Sequence, residues 1–479
     1  MNQTSRLVEL LSPDPQLLHQ IHTHSLDLLE KRGIRFHSEK ARRIWQEAGA
    51  QVVGNVVRIP GALAESALKR APSSFVLFAR DGMHNLPLDG HRTYYSQDGC
   101  AAHTLDFETG MRRRSSKQDI ETMALLSDAL ETIDIVSPTV SAQDVPASAV
   151  VLHELAGCLI NSGKHVLTES VTSAQEARAQ IELAAILVGG RERLREQPIF
   201  SNFVCTISPL TQDEGGIEAA LEFAAAGIPV GIYPMATTGV TAPVTMAGTM
   251  AIVNAEVISA LALLEIATPG AKVLYCGGPA TIDLRTGSYT ATSPEAIGLR
   301  TMVAHMARFY GLPSIVGAGA TSAKVPGEQA AWENTLSFLF PTLAGASILF
   351  GMGLLDGSNL LTYEQILLDA EIGAVIRRLL KPVDFSQEAF ALDLIKALGP
   401  GGVFLDQPHT LAHMRRSLSI PLISDRDSYE EWEQKGKLDR VTVARNRVRK
   451  ILATHQPPPL ADEVVQAINE FLAAHATQG

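Results

Sequence analysis

Charge is scarce in this chain. Only 19% of its 479 residues are Asp, Glu, Lys or Arg, against about a quarter in an ordinary globular domain. So thinly charged a surface implies that much of it is covered, and a homo-oligomer is expected. The net charge is -11 with no long basic run. Neutralising phosphates takes clustered Lys and Arg, so nucleic acid is excluded as a partner. Cysteine is scarcer still: Cys100, Cys158, Cys205 and Cys276 are far apart, with no CxxC or HxC spacing. Neither a zinc site nor a disulfide framework follows, no metal site is expected, and reduced thiols suit a cytoplasmic protein. The first ten residues lack the apolar stretch of a signal peptide. No GxGxxG turn follows the first strand-like run and no Walker A sequence occurs, which argues against dinucleotide and nucleotide-phosphate binding. One apolar run, 242–267, is long enough to raise the question of a membrane span. It carries Asn254, Glu256 and Glu265, which are costly in lipid, and turn signals at Gly239 and Pro269-Gly270 bound it. It reads as a helix buried inside protein, with no membrane contact.

What is present is a rhythm. Residues 1–92 read as an N-terminal extension with amphipathic helices over 15–31 and 39–48 and a short strand near 52–59. From 93 to 385, eight short apolar or β-branched runs alternate with helical stretches. The runs are 93–96, 133–138, 165–168, 199–203, 229–233, 272–276, 314–316 and 347–350. Helix stops precede several of them, among them Gly227 and Gly311. Short apolar strands separated by helices imply a parallel sheet covered by helices. Eight units imply an α/β fold closed as a (β/α)8 TIM barrel. Residues 386–479 are more polar and read as a C-terminal helical extension packed on the barrel.

Such barrels carry their chemistry where the strands end. The residues there include Tyr94, Tyr95, Gln97 and Asp98, then Glu169, Asn202, Phe203, Tyr233, Tyr275 and Phe350. Aromatics are 5% of the chain, yet strand ends supply several. Acids are few, and no His or Cys cluster accompanies them. Ring faces attract a cation that cannot donate a hydrogen bond, so the set suits a quaternary ammonium. Each ring taken alone also suits barrel packing, and each carboxylate suits a helix cap. After the seventh run, the Gly-rich turn 317–322 leads through Thr321 and Ser322 to Lys324, a loop near substrate that suits an anion or an exposed tight turn. His409 and His413 would share a helix face, but no HExxH motif is present, so surface or packing roles are expected.

An ordered set of segments resembles the trimethylamine methyltransferase superfamily, including its members without pyrrolysine that demethylate glycine betaine and related quaternary amines. The set comprises Ala71-Pro-Ser-Ser-Phe75, Ala79-Arg-Asp-Gly-Met-His-Asn-Leu-Pro-Leu88 and Leu105-Asp-Phe-Glu-Thr-Gly110. It continues with Thr237-Thr-Gly-Val-Thr-Ala-Pro-Val-Thr-Met-Ala-Gly248, Asn254-Ala-Glu256, Thr321-Ser-Ala-Lys-Val-Pro326 with Glu328-Gln329, and Tyr363-Glu-Gln365 with Asp369 and Glu371. It closes with His409-Thr-Leu-Ala-His413 and Ser424-Asp-Arg-Asp-Ser-Tyr429.

The resemblance implies a barrel whose top face docks a corrinoid protein, and methyl transfer to the cobalt(I) of that partner by direct displacement. It implies no tightly bound cofactor in this chain. A quaternary amine leaves as a neutral tertiary amine, so orientation and exclusion of water suffice and no essential acid or base is expected. Relatives acting on trimethylamine use pyrrolysine, which this sequence lacks, so a betaine-type quaternary amine is the better expectation. Glycine betaine members place a His near the last strand; 347–363 has none, which leaves bulkier betaines open. Gln97 and Asn202 are then the hydrogen-bonding candidates for the carboxylate. The competing readings are a barrel that binds or senses a betaine without turning it over, a methyltransferase for another methylated amine, and an unrelated barrel lyase or hydrolase built on Asp98 and Glu169.

Overall fold

The structure is a computed structural model that describes residues 10–169 and 171–476. Its centre is a closed barrel of eight parallel strands, as the rhythm of the sequence implies. We number them β1 (Tyr94–Gln97), β2 (Ile135–Val136), β3 (His165–Thr168), β4 (Phe200–Cys205), β5 (Val230–Tyr233), β6 (Val273–Gly277), β7 (Ser314–Gly317) and β8 (Ile348–Met352). The main helices that follow them are α1 (Lys117–Asp128), α2 (Val150–Asn161), α3 (Ala174–Val188), α4 (Glu214–Ala226), α5 (Met246–Ala267), α6 (Pro294–Tyr310), α7 (Glu328–Leu343) and α8 (Tyr363–Leu379). Helix α4 ends at Gly227 and α6 at Gly311, both in the left-handed conformation (φ 80° and 66°) that glycine adopts without Cβ strain.

Alternate residues of each strand face opposite ways, and this splits the core in two. Leu167, Phe203, Tyr233, Leu274, Cys276, Ile315, Ile348 and Phe350 fill the barrel interior. Val166, Phe200, Val230, Ile232, Tyr275, Val316 and Leu349 pack outward under the helices. The long apolar helix α5 belongs to this outer core: it is long and apolar enough to cross a membrane, yet most of it is buried in the protein. Its buried polar side chains are held by hydrogen bonds, with only Glu265 Oε1 left without a partner among them. Asn254 bonds the hydroxyls of Tyr275 (2.9 Å) and Tyr310 (3.0 Å). Glu256 accepts from Leu210 N (2.8 Å), Ser208 Oγ (2.9 Å) and Thr206 Oγ1, and Glu265 accepts from Gly270 N (2.9 Å).

The N-terminal extension runs along the outside with a helix over Pro15–Lys31, packed against α5. It then closes the barrel floor with the hairpin Phe75–Leu77/Leu86–Leu88. Leu77, Leu86 and Leu88 join the interior cluster. Pro87 O accepts from Tyr94 Oη (3.1 Å), and Phe78 O is bonded by His165 Nδ1 (2.8 Å). Burial lowers the proton affinity of His165 to a pKa of about 4, so it serves as a neutral link.

Beyond α8, the helices Arg440–Thr454 and Asp462–Ala476 pack on the barrel's helical shell. The segment between does not. Helices Gln387–Phe390, Leu392–Leu398 and Pro408–Ser417 contain no buried residue, while Leu405 and Ile420 are 84% and 83% exposed. His409 and His413 lie here, their rings stacked at 4.1 Å and His413 beside Glu388. Among the described residues no three metal-ligating side chains gather. This arm leaves and rejoins the C-terminal half of α8, through Arg378 on Arg416 O and Glu371 on Leu422 N. That end of α8 lies near the barrel floor, where Arg377 stacks over Tyr95. Apolar surface of this extent calls for a cover, and its position away from the barrel mouth suits a second copy of the chain. Light scattering is expected to give a mass at least twice that of one chain. Leu405→Asp with Ile420→Asp should shift it towards the single chain; an unchanged mass would place the contact elsewhere.

Candidate active site

Five of the residues singled out from sequence converge above the interior layers. Phe203 is the inward residue before Cys205 on β4, while Tyr233 ends the inward row of β5 and Phe350 that of β8. The Phe203 and Tyr233 rings stack at 4.5 Å; Phe350 meets Phe203 edge-on at 5.1 Å and Tyr233 at 6.2 Å. No methylammonium group passes between rings this close, so they form a wall rather than a slot. Two glycines make room for the Tyr233 phenol. A methyl at Gly278 would lie 2.7 Å from its Cε1, and one at Gly317 would overlap its hydroxyl.

Asp98 and Glu169, directly after β1 and β3, supply the acids. Asp98 Oδ1 accepts from Gly99 N (3.0 Å) and Oδ2 from Ser358 Oγ. Glu169 Oε1 is buried without a hydrogen-bond partner and lies so close over the Gly99 α-carbon that a Cβ there would overlap it. Burial pushes the Asp98 carboxyl up to about 6. It pushes Glu169 to about 8, with the charge of Asp98 adding to the shift and a hydrogen bond from Cys100 opposing it. Both carboxyls are shifted towards the neutral acid, Glu169 further than Asp98. Cys205, at the end of β4, is exposed and Glu169 keeps part of its surface accessible, so the strand ends open onto solvent here. Burial and the neighbouring Glu169 raise the Cys205 thiol to about 12, which rules it out as a thiolate nucleophile at neutral pH.

Glu169 also sets a pH dependence of stability. Its folded pKa lies above the ordinary value near 4.5, so the native state binds this proton more tightly than the unfolded chain does. The contribution is complete below about 4.5 and is lost as pH rises towards about 8. Melting temperatures of wild type and Glu169→Gln, taken from pH 5 to 9, are expected to diverge by a few degrees in favour of the variant at the alkaline end. Parallel curves would show that the carboxyl titrates normally.

The other candidates do not reach this recess. Tyr94 faces inward but from the first position of β1, at the floor. Tyr95 points outward, against Phe338 and under Arg377. Gln97 also points outward: its Nε2 donates to Thr139 Oγ1 (2.9 Å) and its Oε1 accepts from Ser137 N (2.9 Å). Asn202 turns under the helices to Thr168 Oγ1 (2.9 Å), and Tyr275 is held by Asn254 and stacked on Tyr310 at 5.7 Å. These four occupy outward registers, so they brace the barrel rather than line it. The loop after β7 is organised from within: Glu333 accepts from Thr321 Oγ1 (2.6 Å) and Ser322 N (2.9 Å). Lys324 pairs with Asp356 at 2.7 Å. The loop borders a groove of about 1070 Å3 with the hairpin Thr281–Ile282/Tyr289–Thr290, whose walls expose Val244 and Leu284.

One residue of the recess escaped the strand-end search. Arg300, in the middle of α6, is buried, and its guanidinium carbon lies 3.3 Å from where a Gly317 methyl would sit. Its positive charge favours the ionised form of Asp98. The available signal was its isolation, a lone cation in the small and apolar stretch from Ala296 to Ala304.

Comparison with known proteins agrees with this architecture. The model of the family "Trimethylamine methyltransferase (MTTB)" matches residues 1–479. The trimethylamine methyltransferase MttB of Desulfitobacterium hafniense (strain DSM 10664 / DCB-2) is 33% identical over 457 residues, covering 95% of this chain and 92% of the relative. The glycine betaine methyltransferase of Desulfitobacterium hafniense (strain Y51) is 32% identical over 456 residues, 95% of both chains. Among solved structures, the Methanosarcina barkeri monomethylamine methyltransferase (MtmB) superposes with a TM-score of 0.53 over 96% of this chain and 93% of that one. At 14% identity it bears on the fold alone. With a family model spanning its full length and relatives a third identical over nearly all of it, the chain belongs to the trimethylamine methyltransferase family.

Proposed function

We propose that this protein transfers a methyl group from a betaine-type quaternary amine to the cobalt(I) of a corrinoid held by a separate protein. The observation that carries the reading is the wall of Phe203, Tyr233 and Phe350 with the Asp98 carboxyl near it. Ring quadrupoles and one carboxylate attract a cation that offers no hydrogen bond. The relatives named for methyl transfer from trimethylamine and glycine betaine support the reaction class. The chain carries no pyrrolysine, which favours the quaternary amine.

The acceptor supplies the electron pair that forms the new bond to the methyl carbon. The C–N bond breaks with its pair going to nitrogen, and a neutral tertiary amine leaves. No proton moves, so the residues present have three tasks: the rings orient the ammonium, Asp98 balances its charge, and the floor of the barrel excludes water. Burial favours the neutral form of Glu169, which leaves Asp98 as the carboxylate that faces the ammonium. The groove and the exposed Val240, Val244, Met246 and Leu284 around the mouth suit a protein that covers this face while it accepts the methyl group.

The test follows the visible spectrum of a cobalt(I) corrinoid, free and protein-bound, while betaines and trimethylamine are added one at a time. Conversion with a quaternary amine and not with trimethylamine is expected. Binding without conversion, by every betaine and with a competent partner, would turn the protein into a sensor.

A further inference from the structure

We propose that Arg300 binds the carboxylate of a zwitterionic substrate, so that the recess takes quaternary amines bearing an acid group and discriminates against simple cations. The inference rests on the methyl-transfer reading of the same recess.

A cation inside protein normally has an anionic partner or a full set of acceptors. Arg300 is 3% exposed; Asp98 acts on it only at a distance, without a contact ion pair, and its acceptors are incomplete. Its Nε donates to Pro279 O (3.2 Å) and one terminal nitrogen reaches Tyr289 Oη at 3.5 Å. The other, Nη1, is buried with no partner. Among the described residues no ion pair includes it. A role confined to bracing the loop at Pro279 would need only the Nε bond.

Its location gives the spare donor a purpose. Gly317 ends the inward row of β7, and a methyl there would meet both the Tyr233 hydroxyl and the Arg300 guanidinium. The guanidinium thus reaches over the strand end onto the phenol that forms part of the ring wall. A molecule with its ammonium on the rings and an anion on Arg300 spans the two. The planar fork of a guanidinium matches a carboxylate. A dianionic phosphate is disfavoured, because the Asp98 carboxyl shares the recess and a single guanidinium would have to balance both. Gln97 and Asn202, the carboxylate candidates of the sequence, are turned outward and already bonded, which leaves Arg300 to read the acid.

The experiment is calorimetric titration of the full-length protein with glycine betaine, γ-butyrobetaine, the methyl ester of each, and tetramethylammonium. The better of the two acids is expected to bind about 10- to 100-fold more tightly than its own ester, the span of one charge-assisted contact. In Arg300→Gln that ratio should collapse towards one. If the variant does not fold, the acid-to-ester ratio of the wild type decides alone. A wild-type ratio near one, or an unchanged ratio in a folded variant, overturns the assignment while the methyl-transfer reading survives. Wild type that binds none of the quaternary amines overturns both.

Discussion

Replacing Phe203 and Tyr233 together by leucine is expected to lower kcat/KM for a quaternary amine by about 10- to 1000-fold, since each ring is worth ~0.5–2 kcal/mol to a cation over its face. Both rings are buried and lie against each other and Phe350. Leucine keeps most of the apolar contact, so some stability is lost with the volume but the barrel should still close. The discriminating control is a neutral mimic in which a tert-butyl group replaces the trimethylammonium. Its inhibition constant should change far less than substrate affinity does. An equal loss for both would mean that the rings act only through shape, and the electrostatic argument for a cationic substrate would fall.

Gly99→Ala should be as damaging through a single methyl group. The Gly99 α-carbon lies directly beneath Glu169 Oε1, and the new Cβ would overlap that oxygen, with Pro138 O at 3.1 Å behind it. Either Glu169 leaves the recess or the end of β1, with Asp98 on it, moves. In both cases the charge arrangement around the rings is lost, and methyl transfer is expected to fall more than ~100-fold, the scale of a misplaced positioning group. Combining it with Glu169→Asp, one methylene shorter, should recover melting temperature lost to the overlap. Gly327→Ala is the comparison: no atom lies within 4 Å of its added methyl, and activity within about twofold of wild type is expected for a surface change of this kind. Full activity in Gly99→Ala would mean that the position of the Glu169 carboxyl is irrelevant.

The barrel was legible from sequence because its strands are buried on both faces and its helices are not, so composition alternates along the chain. All eight strands lie within about two residues of their expected places, and the helix over 15–31 matches in full. The site was half legible. Asp98, Glu169, Phe203, Tyr233 and Phe350 do meet, whereas Gln97, Asn202 and Tyr275 do not. The cause is the two-residue period of a strand. Gln97 and Asp98 are neighbours, as are Asn202 and Phe203, so only one of each pair can face inward, and a strand-end search does not say which. Following the alternation from Leu167 to Glu169 or from Gly231 to Tyr233 would have removed the outward members. Arg300 was missed for another reason. It enters from the middle of a helix, and only the three-dimensional crossing of α6 over the end of β7 brings it to the rings. The apolar arm around Leu405 was read as part of a packed extension because helical patterning indicates a buried face without naming what buries it.

The floor of the barrel has a kinetic consequence. Leu77, Leu86 and Leu88 are wedged among the interior side chains and the hairpin is tied to β1 and β3 by Tyr94 and His165, so the described residues close the barrel at its floor. On the proposed reading, the amine and the methyl acceptor would share the mouth between the strand ends. The amine would then have to be seated before the acceptor docks, and its demethylated remnant would leave after the acceptor lifts away. Such turnover would be ordered, and an excess of acceptor protein is expected to inhibit it.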